Sequence, residues 1–187
     1  MKAVLDACVI FPPVLRDLLL GVAARGLYQP VWSERILREW VRATAKLGAG
    51  AMAGAEVQAT LLRAGFPAAM TREQPGIEAR LMLPDPDDVH VLAVAIASHA
   101  DCIVTFNAAD FPRHLLAEEG LERRDPDGFL WQLWSHHPAE VNAAVADVHA
   151  RAEAMAGAPV SLKSLLKRAK LGRLARAVLS DARTGPR

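Results

Sequence analysis

The chain has 187 residues, 52% of them hydrophobic and 23% charged, with a formal net charge of +1 at pH 7. That length suits one domain with a small appendage, and the apolar fraction is enough for a sizeable core. No apolar run approaches a membrane span, and Asp6 interrupts the amino terminus too early for a secretory signal, so a soluble, cytoplasmic chain with no membrane association is expected.

In chain order, Lys2–Asp6 reads as a short first strand presenting a carboxylate at its end. Val14 to Arg25 has helical spacing and stops at Gly26. Gln29–Trp32 is a second strand. Ser33 is an N-cap for a helix from Glu34 to Leu47 with the apolar stripe Ile36, Leu37, Trp40, Val41 and Thr44. Gly48 to Gly54 reads as a flexible joint and Ala55 to Ala64 as a helix. An edge strand is expected within residues 76–82. Leu83–Pro–Asp–Pro–Asp–Asp88 then opens a helix through Val89, Leu92, Ala93, Ile96 and Ala97, with Asp85 as N-cap and Pro86 as its first residue. Cys102–Phe106 is a β-branched buried strand ending in Thr105, Asn107 and Asp110. A helix from Arg113 to Glu119 and a last strand, Leu121–Arg124, follow. Beyond His136–His137–Pro138 the pattern is purely helical: Ala139 to Met155, Ser161 to Ala169, and Gly172 to Ser180.

Strands alternating with helices imply a mostly parallel sheet. Cys8 and Cys102 then fall at opposite ends of their strands, so no disulfide is expected. Charge is unevenly spread. Residues 1–157 hold 14 Lys+Arg and 20 Asp+Glu, net −6, whereas residues 158–187 hold 8 Lys+Arg and only Asp181, net +7. The basic tail, with Lys167, Arg168 and Lys170 near its centre, fits an anionic partner or an acidic docking surface; a solvated basic face is the bland alternative.

Ligands of a parallel α/β sheet bind outside the carboxyl ends of its strands. Asp6, Asp88 and either Asp110 or Asn107 fall at that edge. Crowded carboxylates repel, and a hard divalent cation such as Mg²⁺ or Mn²⁺ neutralises them through oxygen ligands. Acids in a first helical turn also favour the helix dipole without doing chemistry. No Cys/His spacing suits zinc, and neither a Gly-rich phosphate loop nor a Gly-x-Ser-x-Gly elbow is present. His90 and the pair His136–His137 read as packing, surface or loop residues. By periodicity alone Glu39 falls on a solvated face, and Glu34 is no worse a candidate.

Ala3–Val–Leu–Asp6, Ile36–Leu–Arg–Glu39–Trp, the Leu83–Asp88 segment with its following His–Val–Leu–Ala, and Ile103–Val–Thr–Phe–Asn107–x–x–Asp110–Phe–Pro together resemble the PIN-domain nucleases, most closely VapC-type ribonuclease toxins of toxin–antitoxin pairs. The resemblance runs from about residue 2 to residue 130. It implies a PIN-like three-layer α/β/α fold with a mostly parallel, about five-stranded sheet over residues 1–135, and a helical, basic C-terminal extension over 136–187. It implies a Mg²⁺- or Mn²⁺-dependent endoribonuclease with catalytic Asp6, Glu39, Asp88 and Asp110. Asp6 and Asp88 would be metal ligands, with Asp87, Thr105 and Asn107 in support. The implied partners are RNA, a cognate antitoxin and a second copy of the chain. Many relatives carry an acid where Asn107 stands, so either Asp110 supplies that charge or Asn107 acts as a neutral group. A catalytically silent module binding RNA or protein is the alternative reading. A phosphohydrolase with Asp6 as nucleophile is disfavoured because Cys8 stands where its second acid belongs.

Overall fold

A computed structural model describes residues 1–184 of the chain. Its elements run β1 (Lys2–Leu5), α1 (Ala7–Ile10), α2 (Pro13–Ala24), β2 (Gln29–Ser33), α3 (Glu34–Thr44), α4 (Ala49–Gly65), β3 (Met70–Thr71), α5 (Pro75–Glu78), α6 (Val89–Ala97), β4 (Cys102–Val104), α7 (Arg113–Glu118), β5 (Glu122–Arg124), α8 (Pro126–His136), α9 (Pro138–Ala156), α10 (Leu162–Arg168) and α11 (Gly172–Thr184). They pack as two compact units. Met1–Phe11 and Tyr28–Arg124 form the first; Pro12–Leu27 and the chain from Asp125 onward form the second. The division between residues 135 and 136 read from sequence falls within α8, and by packing that helix goes whole with the second unit.

In the first unit the strands lie in the order β3-β2-β1-β4-β5, and every neighbouring pair is parallel, which is the expected α/β architecture. The central strands are continuous apolar runs: Ala3, Val4 and Leu5 in β1, and Cys102, Ile103 and Val104 in β4, are all buried. Strands covered on both faces need such runs. Leu5 pairs with Val104, so the next residues, Asp6 and Thr105, leave the sheet side by side. The strand order reverses here, since β1 is followed by β2 on one side and flanked by β4 on the other. This is the switch point at which open parallel sheets bind ligands.

Ser33 caps α3 by accepting a hydrogen bond from the Ile36 amide at 3.3 Å, and α3 buries Ile36, Leu37, Trp40 and Val41. Two expectations fail. The Gly48–Gly54 joint is not a loop, because α4 starts at Ala49. Gly48, at φ 108°, makes the turn, and the alanines between Gly50 and Gly54 carry the helix. No strand forms within residues 76–82. Pro75, with its fixed φ, starts the short helix α5, and the sheet edge is instead Met70–Thr71, paired with Trp32 and Ser33.

The second unit is helical. Helix α2 packs on α9, and a Cβ at Gly21 would sit 3.5 Å from that of Ala144, an ordinary van der Waals contact. Asp127, in the first turn of α8, accepts from the Arg173 and Leu174 amides at 2.7 and 2.9 Å and so caps α11. The Arg173 guanidinium lies 3.6 Å from the Trp131 ring centroid, a cation–π contact. Leu165, Leu166, Leu171, Leu174 and Val178 are buried, whereas Lys163, Lys167, Arg168, Lys170, Arg173 and Arg176 are exposed. No helix among the described residues is long and apolar enough to cross a membrane.

Candidate active site

The carboxyl ends of β1 and β4 hold the first pair of side chains. Asp6 is 6% exposed; its Oδ2 accepts from the Thr105 hydroxyl at 2.6 Å and from the Cys8 thiol at 3.1 Å. The Thr105 oxygen also accepts from the Asn107 amide at 2.8 Å, which ties the chain after β4 to Asp6. Burial first, and then the neighbouring Asp6 charge, push the Cys8 thiol up to about 12. Cys8 is therefore a neutral donor to Asp6 rather than a thiolate nucleophile.

The second group comes from the entry to α6. Asp85 caps a single 3₁₀ turn, Pro86–Asp88, by accepting from the Asp87 amide at 2.9 Å, and α6 proper begins at Val89. A single carboxylate oxygen from each of Asp85, Asp88 and Asp110 lies within 4.8 Å of the others. Asn107 donates its Nδ2 to Asp88 Oδ2 at 3.0 Å. Asp87 is exposed and contributes through its backbone carbonyl, which accepts from Arg35 at 3.4 Å. Burial, with Asp6, Asp85, Asp110 and Glu39 adding repulsion, pushes the Asp88 carboxyl from 3.8 up to about 7.

Glu39 completes the arrangement from α3. It lines one cleft with Asp6, Cys8, Asp88 and Asn107. The Nε2 of His90, a residue 1% exposed, lies 2.9 and 3.1 Å from its two oxygens, and Arg35 Nε donates to Oε1 at 3.2 Å. Burial raises the Glu39 carboxyl, but His90 and Arg35 together outweigh it and hold the group below the usual carboxylate range. Glu34, the rival candidate, is taken up by Arg63 at 2.6 and 3.1 Å.

The structure thus brings Asp6, Glu39, Asp88, Thr105 and Asn107 together, with Asp110 joining through Asp88. Lys167, Arg168 and Lys170 belong to the other unit. Sequence reasoning treated Asp85 only as a cap, because a capping carboxylate and a cluster carboxylate look alike in sequence. It read His90 as a packing or surface residue; His90 is buried, and it also holds Glu39. It weighed Cys8 for a disulfide and as a missing acid, and not as a donor to Asp6.

The converging donors of Asp85, Asp88 and Asp110 are carboxylate oxygens, and burial together with the neighbouring acids disfavours the ionised Asp88, so the residues present fit a hard divalent cation of the Mg²⁺ or Mn²⁺ type. An acid cluster at the switch point of a parallel α/β sheet defines the class: an acidic-site α/β domain whose carboxylates are compatible with a divalent cation. The PIN domain family model matches residues 2–109, more than half the chain, and the protein belongs to the PIN domain family. PIN domains are generally nucleases that use divalent metals, so at the coarse level this is a nuclease fold with a compatible acid cluster. No curated protein and no solved structure matches the chain.

Proposed function

We propose that the protein is a Mg²⁺- or Mn²⁺-dependent endoribonuclease of VapC type: the cytoplasmic toxin of a toxin–antitoxin pair, neutralised by a cognate antitoxin and acting as a homodimer. The observation that carries the hydrolytic reading is the convergence of Asp85, Asp88 and Asp110 beside Asp6 and Glu39 at the switch point of the sheet. Asp6 and Asp88 are the proposed metal ligands, and Asp85 extends the set. When bound, the metal supplies charge neutralisation at the phosphoryl oxygens and acidifies the attacking water.

The chain's own residues do the rest. Thr105 and Cys8 hold Asp6 Oδ2, leaving Oδ1 as the oxygen for a ligand. Asn107 orients Asp88 as a neutral donor and so supports the site without adding to the repulsion. Glu39, with both oxygens engaged and its carboxyl held ionised, suits a fixed negative charge that orients water. Proton acceptance is assigned to Asp110, the acid of the cluster that is neither a proposed metal ligand nor held by His90 and Arg35. The attacking water gives its proton to Asp110, its oxygen forms the new bond to phosphorus, and the bridging P–O bond breaks with its electron pair on the departing oxygen, which takes a proton from solvent while Asp110 returns its own to solvent.

The test is cleavage of single-stranded RNA by the full chain with Mg²⁺ or Mn²⁺, with EDTA, and with Asp6→Asn. Metal-dependent cleavage that Asp6→Asn abolishes supports the reading; cleavage unaffected by EDTA, or none with either metal, ends it. A small protein encoded beside this reading frame that binds the chain and blocks cleavage supports the toxin assignment. Asn107 favours a second reading, a silent RNA- or protein-binding PIN module, because many relatives have an acid there. The same assay separates the two.

A further inference from the structure

A polyanionic strand cannot approach Asp6, Glu39, Asp85, Asp88 and Asp110 unless fixed cations on the rim offset the part of the repulsion that a single divalent ion leaves. Three candidate side chains lie on α3, the helix that also carries Glu39. Arg35, Arg38 and Arg42 stand at i, i+3 and i+7, and seven residues bring the helix almost back to the same face after a rise of about 10.5 Å.

Their partners separate them. Arg35 is neutralised by Glu39 and by Glu78, whose carboxylate is 3.6 Å away. Arg38 pairs with Glu73 at 2.7 Å. Arg42 is exposed, its Nε donates only to the Arg38 carbonyl at 3.4 Å, and no carboxylate lies within ion-pair distance of it among the described residues. Arg42 also lines two adjoining clefts. One contains Arg35, Glu39, Asp87 and Asp88; the other contains Arg35, Arg38, Val41, Met52 and Glu56. The shared wall makes a path from the acid cluster over α3 toward α4.

Resting on the nuclease reading above, we propose that Arg42 is a substrate-binding residue that holds a backbone phosphate of a single-stranded nucleic acid next to the reacting one, so that the strand leaves the acid cluster over α3. Arg42 contacts the phosphate chain and not a base, so its contribution is independent of sequence and sensitive to salt.

The experiment uses the full chain with a short fluorescein-labelled oligoribonucleotide of mixed sequence. Affinity is measured by anisotropy across a salt series with Ca²⁺ in place of Mg²⁺ and a phosphorothioate backbone to slow cleavage, and cleavage of the ordinary oligoribonucleotide is measured in Mg²⁺. Arg42→Gln should lose about 0.7 of log–log salt slope, the value of one single-strand phosphate contact, and raise KM severalfold with kcat little changed. Arg42→Lys should restore most of both, because a point charge suffices for a phosphate. The exposed position leaves the melting temperature unchanged in either variant. If the unaltered chain cleaves RNA but Arg42→Gln leaves slope and KM where they were, this proposal is overturned and the nuclease reading survives. If the unaltered chain neither binds nor cleaves RNA with either metal, the nuclease reading fails and takes this one with it.

Discussion

Replacing Asp88 by Asn should stabilise the metal-free protein and remove its response to metal. The Asp88 carboxyl is shifted from 3.8 up to about 7 by burial and by Asp6, Asp85, Asp110 and Glu39. At about 1.4 kcal/mol per pH unit this is roughly 4 kcal/mol of penalty on the ionised form. Asp88 is only half-buried, so screening by solvent reduces the figure to about 1–2 kcal/mol. The sign follows from linkage: a carboxyl raised on folding carries no penalty below 3.8, accumulates it as the pH rises, and bears all of it above about 7. In EDTA at pH 8, Asp88→Asn should therefore melt roughly 2–8 °C higher than the unaltered chain, and near pH 4 the two should coincide. At pH 8, Mg²⁺ at a hundred times its dissociation constant should stabilise the unaltered chain by about 2.7 kcal/mol and leave the variant unmoved. Differential scanning calorimetry at the two pH values, with and without Mg²⁺, reads all of this. Equal stabilities at pH 8, a larger gap at pH 4, or an undiminished Mg²⁺ response in the variant would refute the reasoning.

Seen as one acid among several, Glu39 should be easier to fold as Gln, but His90 and Arg35 reverse that expectation. Glu39→Gln should cost about 1 kcal/mol at pH 7, a cost that fades as the pH falls through the depressed Glu39 pKa, as read by urea melts at pH 7 and pH 3. Thr105→Val removes the donor to Asp6 and the acceptor for the Asn107 amide, so it should lower stability by about 1–3 kcal/mol and weaken metal-dependent cleavage; an unchanged melt and rate would count against the anchoring role. Replacing Lys167, Arg168 and Lys170 together by Gln should flatten the salt dependence of RNA binding by about 2 log–log units if all three meet phosphates; an unchanged slope with weaker antitoxin binding would assign them to protein instead.

The strand and helix types were legible in the sequence wherever a single period or cap decided them. The apolar runs Ala3–Leu5 and Cys102–Val104, the Ser33 cap and the amphipathic α3 needed no tertiary information. Where propensities were balanced, as in Gly48–Gly54 and residues 76–82, local chemistry alone read wrongly. Alanines among the glycines carried α4, and Pro75 started a helix in place of a strand. The acids themselves could be picked out, Glu39 only through family resemblance, because helical periodicity describes burial against the core and says nothing of a cleft at the end of a sheet. What only the folded chain decided is which groups meet. Parallel pairing of Leu5 with Val104 sets Asp6 beside Thr105, 99 residues away, and the packing of α3 and α6 places Glu39 on His90, 51 residues away. Sequence spacing carries no record of such long-range neighbours, and burial and those neighbours shift Asp88 and Glu39 in opposite directions. Asp88 is crowded upward and Glu39 is held down, though both are acids of one site.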